Sequence, residues 1–221
     1  MATEWTELFN GRDLTGWRAR GGGSTWRVVG GVQLAADDPQ AFVTEPGTGV
    51  MINSERSRTV DLATELLHGS CQLHVEYCVA QQSNSGVYLM GQYEIQVLDS
   101  WGEEPPLRYG TNGGIYARHR HPLTGRDYGG HAPRVNASRR PGEWQELDVV
   151  FRAPRFDEAG YKSADAKFVR VALNGQLIHE NVAVDLPTGG AWDAYDIPRG
   201  PLRLQGDHGP VAYRNIRMRP L

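Results

Sequence analysis

Cysteine is scarce in this 221-residue chain, which has only Cys71 and Cys78. They sit seven apart in what reads as one strand, so at about 3.3 Å per residue their Cα atoms lie roughly 23 Å apart, beyond disulfide reach. An odd spacing also sends the two thiols to opposite sides of that strand. With no further cysteine there is no zinc or redox motif, and two buried free thiols are expected, which favours a reducing compartment. Runs of basic residues are missing too. The longest is Arg139-Arg140, and 23 Lys and Arg stand against 26 Asp and Glu, for a net charge of −3 and a pI near 6.2. That balance argues against a nucleic-acid partner. No segment approaches the roughly 18 apolar residues of a membrane span, and the opening Met-Ala-Thr-Glu-Trp lacks the basic and apolar regions of a signal peptide. The expectation is a soluble chain without a membrane partner, its compartment open between cytoplasm and, with a leader removed, periplasm or exterior. There is no P-loop, no dinucleotide-binding glycine fingerprint, no Gly-x-Ser-x-Gly elbow and no His-Glu-x-x-His, which sets aside nucleotide, serine-esterase and zincin chemistry.

Turn formers, by contrast, are abundant: 27 glycines and 13 prolines interrupt short apolar runs. This is the pattern of many strands joined by turns. Strand-like runs fall at Trp26–Val29, Val50–Asn53, Cys71–Val79, Gly86–Met90, Tyr93–Leu98, Gly114–Ala117, Trp144–Arg152, Phe168–Leu173, Gln176–Glu180, Leu202–Gln205 and Ala212–Arg217. Leu62–Leu67 reads as a helical turn or two, too short to stand alone. Asn174-Gly175 between two strand runs predicts a hairpin, because both residues suit the positive φ of a type I′ turn. Irregular stretches at Ser100–Asn112, Arg118–Pro141 and Asp185–Arg199 are long enough to frame a site. No repeat or linker divides the chain, so residues 1–221 read as one all-β domain, a two-layer antiparallel β-sandwich of jelly-roll type. Polar alternation in Leu73-His74-Val75-Glu76-Tyr77 predicts one solvated sheet face, a surface on which a carbohydrate could lie.

Side chains suited to chemistry concentrate on Tyr93–Leu98. Period 2 puts Glu94 and Gln96 on one face and Tyr93, Ile95 and Val97 on the other. Asp99 shares the Glu94 face only if a bulge intervenes. Two carboxyls so placed suggest glycoside hydrolysis, with a separation nearer the inverting range than the retaining one. His131, in a loop punctuated by glycine and proline, is a candidate proton carrier. His119 and His121 have His-x-His spacing, weak by itself as a metal signal. Asp207-His208-Gly209 offers a carboxylate and an imidazole, and is also an ordinary turn sequence. Trp101 and Trp192, both in long loops, are candidate stacking platforms for a sugar ring.

Several of these segments occur together in a known family. The opening Leu8-Phe9-Asn10-Gly11-Arg12-Asp13-Leu14-Thr15-Gly16-Trp17 and the central Asn84-Ser85-Gly86-Val87-Tyr88 through Asp99 come first. They are followed by Gly113-Gly114-Ile115-Tyr116, His131-Ala132-Pro133, Asn136-Ala137-Ser138 and Pro141-Gly142-Glu143-Trp144. The closing Leu204-Gln205-Gly206-Asp207-His208-Gly209 and Tyr213-Arg214-Asn215-Ile216 complete the set. In this order they resemble the 3-keto-disaccharide hydrolase family nearly end to end. The resemblance implies a concanavalin-like jelly roll and an enzyme that cleaves glycosides already oxidised at C3. A ketone there acidifies the C2 proton, so a base removes it and the C1 substituent leaves by elimination, with water adding afterwards. On this reading His131 or Glu94 is the base, and Gln96 and Asn136 position substrate. Asp99 or His208 assists the leaving group or binds a divalent ion, though no cofactor is demanded by the sequence. Tyr88, Trp101, Gln205 and His208 complete the expected contacts with an oxidised mono- or oligosaccharide glycoside. The alternatives are a conventional glycosidase with Glu94 and Asp99 as acid and base, and a carbohydrate-binding module without turnover.

Overall fold

The computed structural model describes residues 4–221, and among these it contains strands and no helix. In chain order the first strands are β1 (Thr6–Glu7), β2 (Trp17–Ala19), β3 (Arg27–Ala35), β4 (Asp38–Ile52) and β5 (Leu62–His68). Next come β6 (Cys71–Val79), β7 (Asn84–Leu89), β8 (Tyr93–Leu98), β9 (Gln145–Arg152) and β10 (Arg155–Phe156). The last are β11 (Lys162–Ala164), β12 (Ala166–Leu173), β13 (Gln176–Val184), β14 (Gly200–Leu204) and β15 (Val211–Pro220). An eight-stranded sheet runs β13-β12-β9-β6-β15-β4-β3, with β1 also on β15, and a five-stranded sheet runs β2-β5-β14-β7-β8. Every pairing is antiparallel, so the expected all-β sandwich is the architecture found.

Period-2 alternation explains the layering. Leu73, Val75 and Tyr77 of β6 and Tyr93, Ile95 and Val97 of β8 enter one shared apolar cluster between the sheets. Burying such side chains stabilises each by about 1.5–3 kcal/mol, which is what clamps the two layers together. The solvated face predicted from His74 and Glu76 exists, but it belongs to the large sheet and points away from the five-stranded one. There His74 pairs with Asp148 at 2.8 Å and Glu76 with Arg214 at 2.7 Å, a lattice of charges on the opposite side of the molecule from the site described below. Cys71 and Cys78 are free and buried, in different apolar clusters on the two faces of β6.

Asn174 and Gly175 form the expected two-residue turn between β12 and β13, with φ of 51° and 79°. Leu62–Leu67 is not helical; it is β5, inserted between β2 and β14. Its register against β14 shifts between Pro201 and Arg203, and the Thr64 hydroxyl accepts the Leu202 N–H at 2.9 Å while donating to the Leu66 carbonyl at 2.8 Å. Sheet pairing on both sides overrides the helix-favouring composition of Leu-Ala-Thr-Glu-Leu-Leu. β3 and β4 also run far beyond the short apolar segments visible in sequence. Gly30 makes this possible, since a Cβ there would lie 2.6 Å from the Pro46 carbonyl oxygen.

Candidate functional site

The outer face of the five-stranded sheet carries the polar set. Register across β7 and β8 is unbroken from Asn84 opposite Leu98 to Leu89 opposite Tyr93, so Gly86 faces Gln96 and Tyr88 faces Glu94. Arg203 of β14 lies opposite Tyr88 on the other flank. These residues share one face, and with Gln205, Asp207 and His208 after β14 they line a pocket of about 220 Å³. The segment following Gly113 lies alongside β8: Gln96 N–H donates to Gly114 O at 2.8 Å and Tyr116 N–H to Glu94 O at 3.2 Å. This brings Tyr116 and His119 to the pocket's far wall. Gly189 and Gly190 close the top, held because Thr188 Oγ1 accepts the Glu94 N–H and donates to Gln92 O, both at 3.0 Å. The same loop is tied at its other end by the Tyr93 hydroxyl donating to Asp196, and by Lys162 pairing with Asp196 at 2.9 Å.

Glu94 is the buried acid of this pocket, 3% exposed. Burial pushes its carboxyl up to about 8, against the opposing pull of a Tyr88 hydrogen bond and the Arg203 charge. Burial raises the Tyr88 phenol above its usual range as well, so the hydroxyl stays protonated; it lies 3.5 Å from Gly189 O and interacts with the Glu94 carboxyl. Arg203 stacks on the Tyr88 ring at 3.8 Å, donates to Gly190 O at 2.7 Å, and forms an ion pair with Asp61 at 2.8 Å. Trp192 packs beside this stack, with Arg203 and Arg20 at 5.1 and 4.4 Å from its ring. Asn84 Oδ1 is buried in the pocket with no hydrogen-bond partner among the described residues. His208 sits at the rim with Nδ1 2.5 Å from Asp207.

Of the residues singled out in sequence, Glu94, Gln96, Tyr88, Gln205 and His208 meet in this pocket. Asp99, His131, Asn136 and Trp101 do not. No bulge interrupts the β7–β8 register to turn Asp99 inward. Its carboxylate accepts the Gln82 N–H at 3.0 Å and the Trp101 N–H at 3.4 Å, capping the turn ahead of β7. His131 bridges Ile115, which in turn bridges Ile95, and residues directly opposite one another share a face. His131 therefore lies on the Ile95 side of the strand, opposite to Glu94. Asn136 staples a loop by donating to Ser100 O at 2.7 Å and Glu103 O at 3.0 Å. Trp101 is 52% exposed and touches Arg140, away from the pocket. His119 and His121 do not act as a pair: His121 packs edge-on to Tyr128 at 4.9 Å and only His119 reaches the pocket. Among the described residues, no group of three or more His, Cys, Asp and Glu is arranged to hold a metal ion. Arg203 was not anticipated, because its strand is recognisable only by the apolar residues around it.

A family model for the 3-keto-alpha-glucoside-1,2-lyase-like domain matches residues 4–219. The chain belongs to this family. The lyase-like domain also resembles provisionally named glycosyl hydrolases from Parabacteroides distasonis ATCC 8503. One is 26% identical with a TM-score of 0.70, over 98% of this chain and 84% of the other. A second is 19% identical with a TM-score of 0.60, over 99% and 100% of the two chains, and shows likeness of fold. No curated protein matches the chain. Family and neighbours support a carbohydrate-active enzyme of hydrolase or lyase type.

Proposed function

We propose that the pocket cleaves 3-keto-glycosides, with Glu94 as the base that removes the C2 proton. One observation carries this reading: a single carboxyl is buried in a polar pocket, with its proton affinity raised into the neutral range. A base of that strength suits a carbon acid better than an ordinary exposed carboxylate does, since proton transfer is most effective when the pKa lies near the working pH. The C2–H electron pair becomes an enolate conjugated with the C3 ketone, then forms C1=C2 as the C1–O bond breaks. Arg203 supplies positive charge beside the pocket floor, where negative charge grows on the ketone oxygen. Asn84, Gln96, Gln205 and His208 present hydrogen-bonding groups to the sugar, with the unpaired Asn84 Oδ1 suited to a hydroxyl donor. Addition of water to the unsaturated product gives net hydrolysis. A conventional acid/base pair of Glu94 and Asp99 is not favoured, because Asp99 faces a turn elsewhere.

The test is product formation from methyl 3-keto-glucoside and from methyl glucoside, by the wild-type protein and by Glu94→Gln, with proton exchange at C2 followed in D2O. Turnover and C2 exchange confined to the keto substrate, both lost in the Gln variant, are expected. Cleavage of the plain glucoside would replace the reading with ordinary glycosidase chemistry, and binding without turnover of either would make the domain a carbohydrate-binding module.

A further inference from the structure

His119 occupies the pocket wall opposite His208. His208 follows β14, whereas His119 follows the segment that borders β8, so β7 and β8, with Glu94, lie between them. The His119 ring is held from several sides. Nδ1 lies 3.3 Å from Asp127 Oδ1, and the ring packs edge-on to Tyr116 at 5.6 Å. Asp127 is in turn fixed by the Tyr109 hydroxyl at 2.8 Å and by the Arg120 N–H at 3.3 Å. The Tyr109 hydrogen bond, followed by that from His119, keeps the Asp127 carboxyl below its usual range, so it remains an acceptor. With Nδ1–H donated to Asp127, Nε2 is the nitrogen left for substrate. Nε2 abuts Gly189 in the pocket wall, where a Cβ would come within 2.9 Å of it. A carboxylate, an imidazole and a second ring nitrogen with no hydrogen-bond partner among the described residues, on a side chain that lines the pocket, form the arrangement in which a histidine is oriented to exchange a proton with a bound reactant.

We propose that His119, oriented by Asp127, is the general acid that protonates the departing glycosidic oxygen. The inference rests on the elimination reading above and adds a second catalytic residue to it. The C1–O bond breaks, its electron pair goes to the leaving oxygen, and the Nε2 proton forms the new O–H bond, leaving neutral imidazole. Glu94 has meanwhile taken the C2 proton. Solvent then removes that proton from Glu94 and returns one to His119, so the cycle closes without oxidant or reductant.

A general acid matters in proportion to how poor the leaving group is. The measurement is kcat/KM of wild type, His119→Ala and Asp127→Asn on methyl 3-keto-glucoside and 4-nitrophenyl 3-keto-glucoside. His119→Ala should lose about 100-fold on the methyl substrate, whose alkoxide must be protonated, and less than about 5-fold on the nitrophenyl one. Asp127→Asn should show the same asymmetry in weaker form. Retained nitrophenyl turnover doubles as the check that each variant folds. Equal losses on both substrates, or none on either, would overturn the proposal while leaving the role of Glu94 intact. Failure of wild type on both keto-glycosides would remove the elimination reading, and this proposal with it.

Discussion

Gly86 leaves the space that the Glu94 carboxylate fills. A Cβ at Gly86 would land on Glu94 Oε1 and 2.8 Å from Tyr88 Cε2. Gly86 has no unusual φ that only glycine tolerates, so its requirement is one of volume alone. Gly86→Ala should keep the sheet folded and push the carboxylate off its position beside Tyr88. Since misplacement of a reacting group by about 1 Å costs on the order of 100-fold, turnover of a 3-keto-glycoside should drop by about that factor. Circular dichroism and kcat measured together check this. Full activity would mean that the position of Glu94 is unimportant.

Ionisation of Glu94 should appear in both rate and stability. Its carboxyl lies near 8 in the fold, because of burial, and near 4.5 in the unfolded chain. Between those values the folded protein holds a proton that the unfolded chain has released. The contribution to stability is therefore complete below about pH 4.5 and is lost as pH rises through 8. Glu94→Gln has no proton to lose, so its melting temperature should gain on wild type from pH 5 to about pH 8 and the difference should level off above that. If Glu94 is the base, wild-type kcat/KM on 4-nitrophenyl 3-keto-glucoside, whose leaving group needs little protonation, should rise over the same interval and level off above about 8. Parallel melting curves for the two proteins would show that Glu94 titrates as an ordinary carboxylate.

How far the sequence discloses this arrangement depends on whether a feature is local. β6 and β8 match the expected runs residue for residue, because apolar and polar residues alternate along both, and Asn174-Gly175 marks its own turn. The placement of Glu94 and Gln96 on one face follows from the same period. Leu62–His68 was obscured because its strand character comes from β2 and β14 on either side. β3 and β4 were truncated by glycines and prolines that read as turns, although Gly30 serves close packing against Pro46. The placement of His131 depends on a register passed from Ile95 through Ile115, a tertiary pairing that no local pattern reports. Gly189, Gly190 and Arg203 reach the pocket through contacts separated by about a hundred residues of chain, such as that of Thr188 with Glu94.

Acid sensitivity should arise from histidines outside the pocket. His68 accepts the Met90 N–H at Nε2 over 3.0 Å and contacts Gly69 O through Nδ1 at 2.9 Å. Burial drives its pKa down from 6.5 to about 4, and burial does the same to His179, whose Nε2 lies 2.8 Å from Gly113 O. In the unfolded chain both take up a proton before they do so in the fold, so stability is present above about 6.5 and is lost as pH falls toward 4. His68→Gln should be less stable than wild type at pH 7, because two hydrogen bonds are disturbed, and the gap should narrow as the pH approaches 4. Urea midpoints across this range give the comparison. A constant gap would show that His68 protonates as readily in the fold as out of it.

Arg203 and Asp61 should be coupled as a buried charge pair. Their side chains are 4% and 13% exposed, and Nε and Oδ2 are 2.8 Å apart. Arg203 Nε has no aligned hydrogen-bond partner among the described residues, so attraction between charges is the main contribution of this contact. Removing one charge strands the other in the interior, at a cost of roughly 3–5 kcal/mol, whereas removing both leaves no stranded charge. Arg203→Met should thus unfold at much lower urea concentration than wild type, and Arg203→Met with Asp61→Asn should recover part of the loss. The double-mutant cycle measures the coupling directly, and strictly additive effects would show that the two charges do not interact. Stability and catalysis should separate in the double variant. Refolding the pocket without Arg203 restores the scaffold but not the positive charge beside Glu94, so turnover should stay low even where stability returns. Recovery of turnover in step with stability would instead make Arg203 a structural residue only.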